Sequence, residues 1–407
     1  MTAHQILKIS LDQLRPGMFI GNVFNERGVL LYSANTLISD YAQVEALRRQ
    51  GVIAVHIDLQ KGAGQDLESE ILPEHPEEPR EQSFIIDKGV FDEEKVQHAL
   101  EMRSTTIDTI RQVMASARTG RLFSISSITD CVESIIEVML DEPDLLISLC
   151  RMKTRSTIVY EHSVNVSVLM VGFSAALGFS RSRIIEAGIS GMLHDIGKMK
   201  LPEELLLKQG NCTRNEYELF KRHPEFGLQI IDQNGKKTPR TIRNVIGQHH
   251  ERLNGSGYPE RRRGRQIDEM ALICAIADMY DSLTTQGLHR KNYIPQEALA
   301  LIFQGADDEY PRTLVEHFTK LLGIYPVGSF VRLDSGEMGV VVRNNRQKLL
   351  TPVVKVLFDS QGARLEVPYL NDLSLTENQN EDQGLRIVNS LDPLTFNVSV
   401  DELIRRV

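Results

Sequence analysis

Residues 184–202 read IIEAGISGMLHDIGKMKLP. An apolar run at helical spacing leads straight into His194, Asp195 and Lys198. Such a run predicts a buried helix, so the imidazole and carboxylate at its end are expected to lie away from water. A carboxylate there costs several kcal/mol unless it is compensated. A metal ion is the simplest compensation, and the rest of the chain can be searched for groups that would share it.

Four other stretches supply them. His162 opens HSVNVSVLMVGF, His223 lies in FKRHPEFG, His249 and His250 open HHERLNGSGYPERRRG, and Asp278 follows the apolar run ALICAIA. The stretches are spaced by about one helical hairpin each, so a helical bundle can bring them to one centre. Singly, each has an ordinary reading: a satisfied core histidine, a solvated turn, a surface lysine, a capping carboxylate. Their joint placement on apolar faces favours a metal site. Imidazole plus carboxylate, without thiolate, suits iron, manganese, nickel or zinc. Two ions sharing a bridging carboxylate can clamp the attacking and leaving oxygens of a phosphoryl displacement. Asp195, beside His194, is the natural bridge.

Outward from this block the chain changes character. The 407 residues, 41% hydrophobic, allow two or three domains and a sizeable core. A net charge of −9 argues against broad DNA or RNA binding. The four cysteines are scattered and include no CxxC, which fits a reduced, cytoplasmic setting. No signal-peptide pattern opens the chain, and no uninterrupted apolar run predicts a membrane span. Residues 1–60 read as a small mixed α/β domain, with a helix that starts behind Ser39-Asp40 and stops at Gly51. Residues 61–90 read as an acidic, proline-containing linker, 91–147 as connecting helices, and 148–322 as the all-helical block. Residues 323–407 read as a small antiparallel β unit followed by a polar tail from 375. The expected fold class is multi-domain α+β, with a central all-α bundle between the two small units.

The set HS (162–163), HDIGK (194–198), HP (223–224), HHERLNGSGYP (249–259) and IADMYDSLT (276–284) resembles the HD-GYP domain, a branch of the HD phosphohydrolases. The resemblance covers about residues 150–322. Residues 1–60 resemble the small domain found ahead of some HD-GYP domains. The resemblance implies a metal-dependent phosphodiesterase that opens cyclic di-GMP or 3′,3′-cyclic GMP-AMP to a linear 5′-phosphorylated dinucleotide. It implies metal ligation by His162, His194, Asp195, His223, His249, His250 and Asp278. Lys198 would contact the scissile phosphate, with Gly257, Tyr258 and Arg290 around the substrate. Gly255 and Gly257 would supply backbone shapes that other residues resist.

Two departures refine this. Members with three metals carry a glutamate where this chain has Ile158, so two divalent ions are expected, iron or manganese first. Many members read RPYR where residues 287–290 are GLHR, so Gly287 replaces an arginine that grips the ligand. That leaves the choice between the two dinucleotides open. The alternatives are a cyclic-dinucleotide-binding scaffold that does not cleave, and another HD-type nucleotide phosphohydrolase. A homodimer, and protein partners reached through the N-terminal domain, complete the expectations.

Overall fold

The computed structural model describes residues 6–11, 14–25, 30–49, 52–62, 91–151, 158–206, 208, 212–235, 238–284, 293–376 and 385–396. The chain divides into two compact units, Met1–Ser83 and Phe84–Val407.

In the first unit, strands β1 (Ile6–Ser10), β2 (Met18–Asn25), β3 (Leu30–Leu37) and β4 (Val52–Gly62) form an antiparallel sheet of order β1-β4-β2-β3. Helix α1 (Tyr41–Arg49) lies between β3 and β4. Its start is fixed reciprocally: Asp40 Oδ1 accepts from Gln43 N at 3.0 Å, and Gln43 Oε1 accepts from Ser39 N at 2.9 Å. The turn before β2 runs through Gly17, whose φ of 96° favours glycine. Val44 and Leu47 of α1 join Met18, Ile20, Val55 and Ile57 in a small core of their own.

The second unit begins with α2 (Glu93–Arg118), α3 (Ile125–Asp141), α4 (Pro143–Leu149), α5 (Ile158–Ala176) and α6 (Arg181–Leu193). It continues with α7 (Glu203–Leu206), α8 (Arg214–Phe220), α9 (His223–Gln233), α10 (Arg240–Gln248), α11 (Glu269–Thr284), α12 (Pro295–Gln304) and α13 (Arg312–Leu322). Helices α5 and α11 are apolar around most of their circumference, as befits helices enclosed by others. Residues expected to connect domains do more than connect. Val96, Ile110 and Met114 of α2 and Val132, Ile135 and Ile136 of α3 belong to the same core as α5, α6 and α11.

A five-stranded antiparallel sheet follows, of order β8-β7-β6-β5-β9. Its strands are β5 (Phe330–Leu333), β6 (Met338–Arg343), β7 (Val353–Phe358), β8 (Arg364–Asp372) and β9 (Ile387–Leu391), with α14 (Leu373–Thr376) after β8. Phe330, Val340 and Phe358 join the helical core, while Val331, Val341, Val354 and Leu373 form a second cluster. Burial on both faces explains why β6 and β7 read as continuous valine runs rather than an alternation. The region expected to be a polar tail from 375 contains β9, which pairs with β5 through Phe330↔Leu391 and Val331↔Ser390. Its five residues are too few for alternation to announce a strand, and pairing with β5 holds it. The short helical pattern expected at SVDELIRRV lies outside the described residues. Among the described residues, no helix is long and apolar enough to cross a membrane.

Candidate metal centre

Helix ends carry most of the ligand-type side chains. His194 caps the C-terminus of α6 and Asp195 follows it. His223 is the first residue of α9, followed by Pro224, a residue suited to a first turn. His249 caps the C-terminus of α10 with His250 next. His162 and Asp278 project from α5 and α11. Lys198 sits in a 3-10 turn, Ile196–Lys200, that wedges against α9. Gly197 makes that possible, because a Cβ there would lie 1.8 Å from the His223 carbonyl oxygen.

The structure brings all seven ligand-type residues together as two groups, Asp195/His223/His249/His250 and His162/His194/Asp278, with the donor atoms of each within 4.8 Å of one another. Asp195 joins them. Its Oδ1 lies 3.3 Å from His223 Nε2 and 3.8 Å from His249 Nε2. Its Oδ2 lies 3.3 Å from His194 Nε2 and 3.6 Å from His162 Nε2. Asp278 Oδ1 closes the second group, 3.1 Å from His162 Nε2 and 3.9 Å from His194 Nε2.

Backbone carbonyls fix the histidine tautomers. Nδ1 of His194 donates to Gly191 O at 2.7 Å, Nδ1 of His223 to Phe220 O at 2.9 Å, and Nδ1 of His249 to Val245 O at 3.0 Å. Burial pushes the His223 imidazole down to about 3 and lowers His249 and His250 as well, so these rings are neutral. With the proton on Nδ1, the Nε2 atoms of His194, His223 and His249 present lone pairs to the centre. His194 Nε2, His250 Nε2 and Asp195 Oδ1 are buried without a hydrogen-bond partner. Nitrogen lone pairs and two carboxylates converge on one buried place, a donor set that suits a cation. The residues therefore fit metal ions.

The charges around the carboxylates agree with this. Burial opposes ionisation of Asp195, but His194 and Lys198 outweigh it and hold its pKa well below the usual value. Asp278 is held low against burial by His162. Lys198 Nζ contacts Asp195 Oδ2 directly and lies 5.3 Å above the Phe220 ring. The bonded pair of carboxylates, Asp278 and Asp281, outweighs desolvation at His162 and raises it to about 9.

Two residues with clear roles in this geometry were not singled out from sequence. Asp281 Oδ2 accepts from His162 Nδ1 at 2.7 Å, a carboxylate behind a histidine. It lies one turn from Asp278 on the same face of α11, which is the signal that could have found it. Glu251 is fully buried and accepts from Glu260 N at 2.7 Å and Arg262 N at 3.0 Å, fastening the glycine-rich loop from inside. The signal was an acid placed directly after the histidine pair.

The loop itself lies beside the cluster. Tyr258 stacks on His250, ring centroids 4.5 Å apart. The expectation about the glycines separates into two causes. Gly255 has φ 76°, which side chains resist. Gly257 is required by proximity instead, since its Cβ would lie 2.3 Å from the His250 carbonyl oxygen. Gly257 is thus buried beneath the loop. Arg262 bonds Glu260 and the Gln266 carbonyl, while Arg261 and Arg263 are exposed. Gly287 and Arg290 lie outside the described residues, as does the side chain of Ile158.

Comparison with known proteins places this site in a family. Residues 143–314 match an HD domain, residues 6–128 a domain of unknown function (DUF3391), and residues 330–395 a KOW domain associated with HD domain. A cyclic di-GMP phosphodiesterase of Pseudomonas aeruginosa is 32% identical over 378 residues, covering 89% of this chain and 86% of that protein. A cyclic di-GMP phosphodiesterase of Thermotoga maritima is 31% identical over 162 residues, 40% of this chain and 44% of its own length. A 3′3′-cGAMP-specific phosphodiesterase of Vibrio cholerae is 30% identical over 196 residues, 47% of this chain and 39% of its own. HD phosphohydrolases depend on metal, and the His/Asp clusters here can hold it. By its HD domain and its likeness to the Pseudomonas enzyme along nearly the whole chain, this protein belongs to the HD-GYP family of cyclic-dinucleotide phosphodiesterases.

Proposed function

We propose that the chain hydrolyses a cyclic dinucleotide, either cyclic di-GMP or 3′,3′-cyclic GMP-AMP, at a centre of two divalent ions. One observation carries the reading: the two oxygens of Asp195 face two separate imidazole groups. On this reading His223, His249 and His250 would hold one ion, His162, His194 and Asp278 the other, and Asp195 would serve both. Imidazole and carboxylate donors without thiolate suit iron or manganese, and equally nickel or zinc. When bound, the ions supply Lewis acidity, lowering the pKa of a water and offsetting phosphoryl charge.

The chain's own groups do the rest. Asp195 and Asp278 are held ionised, so they are ready to bind cations. Lys198 contacts Asp195, and from there its ammonium would offset charge developing on a phosphoryl oxygen. Tyr258, stacked on His250, offers a ring and a hydroxyl beside the phosphate. Arg290 would add a second cation. Hydrolysis adds one water across the phosphodiester: the P–O3′ bond breaks, the 3′ oxygen leaves with a proton, and a linear dinucleotide with a 5′ phosphate results.

The test is turnover by protein reconstituted with Fe²⁺ or Mn²⁺ on a panel of cyclic dinucleotides, with products separated by chromatography. A linear 5′-phosphorylated dinucleotide is the expected product. Tight binding without cleavage by the metal-loaded protein would favour a sensing scaffold. Cleavage of mononucleotide esters alone would favour another HD-type phosphohydrolase.

A further inference from the structure

Behind His162 a chain of buried polar groups runs out of the metal centre to a helix that lies outside the HD-domain match. His162 Nδ1 donates to Asp281 Oδ2 at 2.7 Å. Asp281 Oδ1 accepts from Asn165 Nδ2 at 3.0 Å. Asn165 Oδ1 in turn accepts from Arg103 Nη1 at 2.8 Å. Asn165 and Asp281 are buried and Arg103 is 7% exposed. Arg103 belongs to α2, within the stretch matching the DUF3391 domain and well before residue 143, where the HD-domain match begins.

The geometry of Asn165 makes the chain directional. Its amide nitrogen donates to Asp281 and to Cys150 O at 2.8 Å, so both amide hydrogens are used. Its amide oxygen must then face a donor, and Arg103 is that donor. Were the amide to flip, its oxygen would face the Asp281 carboxylate and the two would repel. Arg103 thus completes the set of partners that holds Asn165 in the one orientation in which Asp281 is held toward His162. A carboxylate partner fixes the ring orientation of a ligating histidine and raises its basicity, with effects on metal affinity of roughly ten- to a hundredfold.

We infer that Arg103 is a positioning residue for the His162 side of the metal centre, and that α2 acts through it as a lever on metal affinity. The inference rests on the metal-site reading above. It gives α2 a role beyond packing: a displacement of this helix from its seat would loosen the ion held by His162.

The test compares Mn²⁺ binding by the full chain and three variants, by elemental analysis after dialysis and by competition with a chelator. Arg103→Met is expected to lose roughly ten- to a hundredfold in affinity for one of two ions, and Arg103→Lys to recover part of it. Val96→Ala, a buried truncation on the same helix, is expected to lower Tm while keeping both affinities. Unchanged Mn²⁺ affinity in Arg103→Met, or an equal loss in Val96→Ala, overturns the inference. Should Arg103→Met not fold, Arg103→Lys alone decides: a several-fold loss at one ion supports the inference and wild-type affinity overturns it. A wild-type protein that holds no Mn²⁺ would instead overturn the metal-site reading itself, and this inference with it.

Discussion

His223 Nε2 and His249 Nε2 lie 3.2 Å apart in a buried site, and each ring already donates its Nδ1 proton to a backbone carbonyl. Two lone pairs at that separation cannot bond each other. The fold holds them in place, so the helices α9 and α10 are packed around a repulsion that a cation would relieve.

Metal binding should therefore stabilise the protein. Saturation at a hundred times Kd contributes about 2.7 kcal/mol, which corresponds to roughly 4 °C in Tm for a unit of this size. Thermal melts of chelator-stripped protein with and without Mn²⁺ measure it. Equal Tm in both would show that nothing binds among these nitrogens.

Asp195→Ala should remove the bridge between the two groups. The unsubstituted chain is expected to hold about two metals, and the variant fewer than one, with hydrolysis abolished. Elemental analysis beside a turnover assay reads both. Retained metal with near wild-type turnover would remove Asp195 from the centre, and three tightly bound ions in the wild type would contradict the count inferred from Ile158.

Glu251→Gln tests the anchor of the glycine-rich loop. The carboxylate accepts two backbone N–H bonds, and charged acceptors make stronger bonds than neutral ones. Exchanging it for an amide should cost about 1–2 kcal/mol. Amide hydrogen exchange should speed up at residues 260–262 while the helices α5 and α11 keep their protection. Uniform loss of protection across the unit would instead make Glu251 a general core residue.

Gly287 governs a prediction about substrate choice. An arginine at this position in related sequences offers a planar fork to phosphate or guanine, and losing such a contact costs about 1.5–3 kcal/mol, or roughly ten- to a hundredfold in affinity. Turnover of 3′,3′-cyclic GMP-AMP is expected to equal or exceed that of cyclic di-GMP, and Gly287→Arg to shift the ratio toward cyclic di-GMP. The measurement is kcat/KM for both substrates with both proteins. Strong wild-type preference for cyclic di-GMP, unaltered by the arginine, would show that position 287 does not set specificity.

Much of this was legible in the chain before any fold was known. The apolar runs ahead of His194 and Asp278 announce buried helices, and a polar group at the end of a buried run needs a partner. Ser39-Asp40 announces the start of α1. These are local signals, carried by the period of the side chains and by their chemistry. The C-terminal strand β9 was not legible, because five residues alternate too briefly and only β5 gives them a place. Nor was α2 legible as part of the bundle core, since an amphipathic helix does not say which neighbour covers its apolar stripe.

The sequence by itself determined which residues can ligate metal and that they sit on helices. Only the tertiary structure decided that seven ligand-type residues divide into two groups, that the two oxygens of Asp195 face one each, and that Asp281, Asn165 and Arg103 stand in line behind His162. The reason is physical. Donor chemistry and helical period belong to the residue and its neighbours in the chain, whereas the direction in which a carboxylate oxygen points is set by how α5, α6, α9, α10 and α11 cross, and that depends on packing among residues far apart in sequence.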